Sequence, residues 1–546
     1  MNAKLTFISA GAGSGKTHRL TSILHAELAA KRVDPAGVIA TTFTRKAATE
    51  LRERVRGFLL EQGEYALANA MGQARIGTVN AVCGELLRRF AYEAGLPAEQ
   101  TVLEEEQATL LLKQAIDMVQ DGADAANLLA LRKRLSIEDK DWDEDFRELV
   151  STVRANDIAP ADLTTIAAEN ADDLLSYFPG TTGDDLSAKL TAALDAAIPP
   201  IQAGAGTVKT TATYLEAAER LQRGLRHDDA SWSEWIKMSK AEPAAALRPH
   251  VQAVQFIAAR ALEHPRLHED LREYLRRQFD LCAKVLEVYT QIKVERGVID
   301  FTDQERLLLK LLDHPFVAQT LTEELDLLMV DEFQDTSPIQ LALFLRLTGF
   351  AKQVYWVGDI KQAIYGFRGS DTELMEAILA ELEAMGGTKD RLDHSWRSRK
   401  SLVDLVNAAF VPAFSATLPA EDVALSPQRT EPIAGPAYGY WRLPGNVPQQ
   451  VEALGQALRQ LVDSGYIVHD KPAKCLRPVR LGDIAILRRS NDNVTKTAMG
   501  LRAAGVPAMT AQPGLLATPE AVLALACLRR LNDPGDTLAS AEIISL

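Results

Sequence analysis

Between residues 10 and 17 the chain reads Ala-Gly-Ala-Gly-Ser-Gly-Lys-Thr. Glycines at alternate positions let successive backbone N–H groups turn inward, and a helix opening at Lys16 would add the positive end of its dipole. Such a loop grips phosphate oxygens. Lys16 is spaced to reach the β- and γ-phosphates of a nucleoside triphosphate, and the Thr17 hydroxyl to ligate Mg²⁺. Ala10, Gly11, Ala12, Gly13, Ser14, Gly15, Lys16 and Thr17 therefore form an expected ATP–Mg²⁺ loop, with Ala10 where the general pattern opens on glycine. Far downstream, the apolar run Leu325–Val330 ends on Asp331-Glu332. Open α/β sheets place their ligands at that carboxyl end of a strand. Asp331 is expected to hold Mg²⁺, directly or through water, and Glu332 to orient and deprotonate an attacking water. A bare Asp-Glu pair is common, but the continuation through Gln334 and Asp335 is far more specific.

Those groups need a rigid frame. Leu5–Ser9 is a short β-rich run, and the segment from Lys16 to about Ala30 has helical apolar spacing at Leu20, Ile23, Leu24 and Leu28. Val38–Phe43 predicts a second strand, followed by a charged helix from Lys46 to about Leu60. Ile76–Thr78 predicts a third strand, leading into a helix that runs through Phe90. Strand and helix in alternation predict a parallel sheet covered on both faces. From about residue 100 to 290 the signal is almost wholly helical, with Pro199-Pro200 and the run 203–206 marking a loop or hinge. Strand-like runs return at Leu325–Val330 and Gln353–Val357. A second α/β domain is expected from near residue 395, with Asp483–Leu487 its clearest strand and Val494–Ala504 its clearest helix.

Composition narrows the classes further. The chain has 546 residues, room for three or four domains. Its net charge of -14 argues against binding nucleic acid by bulk charge, though not against a local basic cleft. The acidic stretch Glu138–Asp145 fits a solvated surface, and so do Lys46, Arg52, Arg54 and Arg56. No apolar run is long enough to span a membrane. The 4 cysteines are widely separated with no Cys-x-x-Cys pair, which disfavours a disulfide framework or zinc site and points to a reducing cytoplasm.

The longer motifs resemble superfamily-1 DNA helicases of the UvrD type, and the RecB/AddA branch in particular. The resemblance rests on TTFTRKAATELRERV (41–55), VIDFTDQE (298–305), VDEFQDTSPIQ (330–340), GDIKQAIYGFRGSD (358–371), LDHSWRSRKSLVDLVN (392–407) and GDIAILRRS with LRAAGVP (482–507), in the family's order. Lys361 stands where UvrD itself has an acidic residue. The resemblance implies a first RecA-like domain in two parts, 1–95 and 291–392, a helical insertion over 96–290, and the start of a second RecA-like domain over 393–546. It implies that Gln362 contacts the γ-phosphate and links it to the DNA-binding segment. Arg397, in Ser-Trp-Arg-Ser where the family often has Asn-Tyr-Arg-Ser, would reach across the cleft as an arginine finger; a surface salt bridge is the plainer alternative.

The resemblance further implies a single-strand path lined by Phe43, Phe301, Tyr365 and Phe367, with Arg45 and Arg368 nearby and hydroxyls from Thr42, Thr44 and Thr78 for phosphates. Taken alone, each aromatic fits core packing. Asn80 replaces the family's histidine, keeping a hydrogen bond to phosphate but losing any protonation-dependent role. The family's adenine-reading glutamine segment, its later arginine motif and its nuclease signature are not found in the sequence, so the chain is expected to be the N-terminal part of a longer protein or half of a split motor.

Three functions follow as expectations. The first is an ATP-dependent 3′-to-5′ translocase or helicase on single-stranded DNA, or on duplex with a 3′ overhang, with a partner subunit of AddB/RecC type. The second is an ATP- and DNA-binding module that turns over only once a partner or further segment completes it. The third is a P-loop switch acting on protein partners, which the stacking aromatics argue against.

Overall fold

The computed structural model describes residues 4–545 except 98, 121–122, 205–207, 364–371, 385, 430–435, 471–472, 474 and 511–517. Tyr365, Phe367 and Arg368 lie outside the described residues. The chain divides into two compact units, residues 1–394 and 395–546.

The first unit is built on strands β1 (Lys4–Ala10), β2 (Val38–Thr42), β3 (Arg75–Thr78), β6 (Leu327–Val330), β7 (Gln353–Gly358) and β8 (Thr388–Leu392). They form one sheet in the order β3-β2-β6-β7-β1-β8, and every neighbouring pair is parallel. Apolar runs do this because the central strands are covered on both sides; all of β2 and β6 is buried. On β1 the alternation is plain. Leu5 and Phe7 join a core with the helices Val79–Arg89, Phe301–Leu311 and Pro338–Thr348. Ile8 and Ala10 join the opposite core, with the helices Lys16–Ala29 and Arg45–Glu61. This is the expected α/β sheet. The sixth strand, β8, has no counterpart in the sequence reading: its residues Thr-Lys-Asp-Arg-Leu are mostly polar because it is the sheet's edge.

Between β4 (Thr101–Val102) and β5 (Val298–Ile299) the described residues are helical, with short 3₁₀ turns. They pack as two clusters, one around Phe146, Cys282 and Tyr289, the other around Trp232, Trp235 and Leu221. The 32-residue helix Pro265–Arg296 contributes to both and stops at Gly297, whose φ of 64° is the left-handed cap glycine tolerates. β4 and β5 pair in parallel, so the two ends of the helical segment are zipped side by side. The break expected at Pro199-Pro200 is a correction: both prolines lie inside the helix Leu186–Ala203. Ile198 and Ile201 beside them are buried in the second cluster, so packing holds the last turn helical despite the lost N–H donors.

The second unit carries a two-stranded sheet of β9 (His394–Arg399) and β10 (Ser426–Arg429), an antiparallel pair β11 (Ile467–Asp470) and β12 (Cys475–Pro478), and helices including Val447–Asp463 and Asn491–Ala503. Its core of Val451, Leu458, Leu501 and Val506 is small. The strand expected at Asp483–Leu487 is a second correction. Leu481–Asp483 is a 3₁₀ turn and the following residues are not assigned to a strand. Ile484 and Ile486 pack on the small core, but no neighbouring strand pairs with them among the described residues. A strand needs a neighbour for its backbone groups, and apolar alternation alone does not supply one.

Candidate nucleotide site and strand path

The loop after β1 turns on Gly13 and Gly15, at φ 76° and 94°. Gly15 caps the helix that Lys16 opens, so the N–H groups of the first turn face the loop. Ser14 is buried, and its Oγ has no hydrogen-bond partner among the described residues. Lys16 Nζ crosses to Glu332 Oε2 at 2.5 Å. This contact joins the glycine loop to the end of β6, although β7 lies between β1 and β6 in the sheet.

The end of β6 is crowded with acid. Asp331 donates its N–H to the Thr41 carbonyl at 2.9 Å, anchoring the loop to β2. Burial, reinforced by the Glu332 charge beside it, pushes the Asp331 carboxyl up to about 6. Asp335 is raised to about 6 for the same two reasons, and its Oδ1 is buried without a hydrogen-bond partner among the described residues. Glu332 sits at φ 52°, a left-handed conformation rare outside glycine, and such strain gathers at functional sites. Gln334 ties this loop to β7. Its Nε2 donates to Glu332 Oε2 at 2.8 Å, and its Oε1 accepts from the Asp359 N–H at 2.9 Å. Asp359 in turn accepts from Gln362 Nε2 at 2.6 Å and pairs with Lys361 at 2.8 Å. The close approach needs Gly358, where an added Cβ would stand 2.8 Å from Gln334 Oε1. Lys16, Thr17, Asp331, Glu332 and Gln362 are thus gathered at the carboxyl ends of β1, β6 and β7.

Of the predicted strand-path residues, Thr42 and Thr78 end the neighbouring strands β2 and β3 in register, at the same carboxyl end of the sheet, and Phe43, Thr44 and Asn80 follow them closely in the chain. Thr44 and Thr78 each cap a helix by accepting from Ala47 N and Ala81 N. A capping hydroxyl still has its own proton to donate, at a helix N-terminus where the dipole favours an anion. Thr42 is buried and donates to the Thr44 carbonyl, so its hydroxyl holds the loop in shape. Phe43 is half-buried, and Phe301 is half-buried as the first residue of the helix Phe301–Leu311. Asn80 lies in the first turn of the helix Val79–Arg89, its Oδ1 buried and without a hydrogen-bond partner among the described residues. Arg397 is exposed on β9 in the second unit, its carbonyl accepting from Arg429.

The sequence of this frame matches the UvrD/REP helicase N-terminal domain over residues 2–382. The chain belongs to that family. Relatives whose names describe one of the subunits of an ATP-dependent helicase/nuclease share its sequence more distantly. The one from Desulforudis audaxviator is 27% identical over 474 residues, covering 74% of this chain and 38% of that protein. The one from Levilactobacillus brevis is 25% identical over 633 residues, covering 98% and 50%. The one from Latilactobacillus sakei is 23% identical over 646 residues, covering 98% and 70%. The chain spans half or less of the length of the first two.

As a UvrD-type domain, the site has features that suit a nucleotide and a divalent ion. Two raised carboxyls, Asp331 and Asp335, flank Glu332 with Lys16 as the cation opposite. A divalent cation would relieve that excess of negative charge. The orphaned Ser14 Oγ and the two positive-φ glycines suit a loop that wraps an anion. Asp359 was missed from sequence, and Gln334 and Asp335 were noted without a role. The DEFQD spacing could have flagged the latter two, whereas Asp359 becomes visible only when β7 is placed beside β6. Among the described residues no helix is long and apolar enough to cross a membrane.

Proposed function

We propose that this chain is the ATP-binding part of an ATP-dependent DNA helicase or translocase, moving 3′ to 5′ on single-stranded DNA in repair, recombination or phage defence. The observation that carries the reading is the Lys16–Glu332 contact, because it brings the glycine loop and the acidic strand end to one point. Bound Mg²⁺ would be held by Thr17 and Asp331 and would neutralise charge on the phosphates. With ATP in the loop, Lys16 leaves Glu332 for the β- and γ-phosphates. Glu332 is then free to accept a proton from the attacking water. Gln334 carries the state of Glu332 to Asp359 and so to Gln362 and the segment after it. Arg397, from the second unit, would supply the arginine finger.

The strand would lie over β2 and β3. Its phosphates would meet Thr44, Thr78, Asn80 and Arg368, and its bases would stack on Phe43, Phe301 and Tyr365. Thr42 supports the path from behind. The domain organisation we infer is a RecA-like domain in two parts, 1–95 and 291–392, a helical insertion over 96–290, and a second RecA-like domain beginning at 393. A partner subunit of AddB/RecC type, a 3′ overhang as loading site and a cytoplasmic location belong to the same reading. The test is ATPase activity with and without single-stranded DNA. Stimulation by the strand, abolished in Glu332→Gln, is the expected result; turnover indifferent to DNA overturns it. A second reading, an ATP- and DNA-binding module silent until a partner completes it, is favoured by Glu332 being held by Lys16. Binding without turnover would select it.

A further inference from the structure

At the root of the helical segment Asp300 is 3% exposed. Its carboxylate accepts from Arg154 Nη2 at 2.6 and 2.5 Å, from the Tyr289 hydroxyl at 2.7 Å, from Lys293 Nζ at 3.1 Å and from the Asp303 N–H at 3.0 Å. Asp303 reciprocates: its carboxylate accepts from the Asp300 N–H at 3.0 Å and pairs with Lys293 at 2.5 Å. Two carboxylates therefore meet two cations, and both cations also lie over the Tyr289 ring. The partners come from different elements. Arg154 is on the helix Asp139–Ala155, and Tyr289 and Lys293 are on the helix Pro265–Arg296. Asp300 and Asp303 form the capping box of the next helix, whose first residue is Phe301. That helix packs on Val79–Arg89, the helix capped by Thr78.

A buried ion cluster of this kind is seldom the most effective way to stabilise a core, since apolar residues of similar volume often do as well or better. What it does supply is a fixed geometry. We propose that Arg154 and Lys293 are positioning residues for the single strand: by clamping Asp300 they fix the helix start that presents Phe301, so the seat of the helical segment sets where that ring meets a base. The inference rests on the proposed role of Phe301 in the strand path. Arg suits the clamp because one terminal nitrogen, Nη2, reaches both oxygens of Asp300 while the planar guanidinium lies over the Tyr289 ring, a flat contact that the point-like ammonium of lysine does not reproduce.

The experiment measures affinity for a labelled oligo-deoxythymidine strand by anisotropy, beside affinity for a fluorescent ATP analogue and thermal stability. The proteins are the unaltered chain, Phe301→Ala, Arg154→Ala, Arg154→Lys and the double variant Arg154→Ala/Phe301→Ala. Phe301→Ala is expected to weaken strand binding about five- to hundredfold, the range for loss of one stacked base. Arg154→Ala should reproduce most of that loss, Arg154→Lys part of it, and the double variant no more than Phe301→Ala alone, because the two act through one contact. ATP-analogue affinity should stay within about twofold throughout. Strand affinity unchanged in a folded Arg154→Ala, additive losses in the double variant, or strand and analogue affinities falling in step with thermal stability would each overturn the proposal. No effect of Phe301→Ala would instead remove Phe301 from the strand path, and this inference would fall with it.

Discussion

Asp331, half-buried, and Asp300, buried, are both carboxylates of the first unit withdrawn from water, and they are treated in opposite ways. Asp331 has Glu332 next to it and shares Lys16 with that neighbour, so burial raises its pKa to about 6. Asp300 is buried as well, yet Arg154, Lys293, a tyrosine hydroxyl and a backbone N–H hold it well below the usual carboxylate range. Burial disfavours the charge in both, and the neighbours decide the outcome. At the root of the helical segment the compensation is complete and the result is a clamp. At the proposed nucleotide site it is incomplete, and the deficit is one that a cation can fill. A site that must accept and release a ligand is left unfinished, whereas a site that must hold a shape is closed.

The sharpest way to break this contrast is Glu332→Gln. If the acidic strand end is a reaction site, ATP turnover should fall about 10²–10⁴-fold, the usual worth of a positioned base, while ATP-analogue binding persists. Turnover that survives would reduce that end to structure. Next comes Asp300→Ala, which leaves Arg154 and Lys293 in the interior with Asp303 as their one remaining carboxylate among the described residues. We expect a loss of about 3–5 kcal/mol in urea unfolding; a loss below ~1 kcal/mol would mean that the clamp closes nothing.

Glu305 tests the rule within the root itself. One turn beyond Asp300, it is buried with Gln340 as a hydrogen-bond donor at 2.7 Å, and burial pushes it up to about 7. A carboxyl whose folded value is raised contributes stability at low pH, and that contribution is lost as pH rises through about 7. Glu305→Gln lacks this loss, so its stability relative to the unaltered chain should improve by on the order of 3 kcal/mol between about pH 4.5 and 8. A flat difference would show that Glu305 finds compensation not accounted for above. The smallest effect is expected at Arg45–Glu104, an exposed pair at 3.3 Å. Glu104→Ala should shift the unfolding free energy by no more than about 0.5 kcal/mol, since exposed pairs are screened by solvent. A larger loss would undo the claim that burial separates the clamp from ordinary surface pairs.

The glycine loop, the apolar strands β1, β2, β6 and β7, and the Asp331-Glu332 pair were legible because each is a local signal: glycine spacing, a buried apolar run, a charge at its end. β8 was not, because an edge strand with one exposed side has no apolar run to show. The misplaced strand at 483–487 failed for the converse reason, since apolar alternation predicts a strand without showing that anything lies beside it. Pro199 and Pro200 failed because packing on both sides outweighed a local preference.

The sequence by itself determined the family, the glycine-rich loop and the identity of the acids, since those depend on which residues stand next to one another in the chain. Only the tertiary structure decided which charges meet. Lys16 faces Glu332 across hundreds of residues, and Arg154 and Lys293 converge on Asp300 from two separate helices. Electrostatic compensation depends on distance in space and on exclusion of water, and neither can be read from order along the chain.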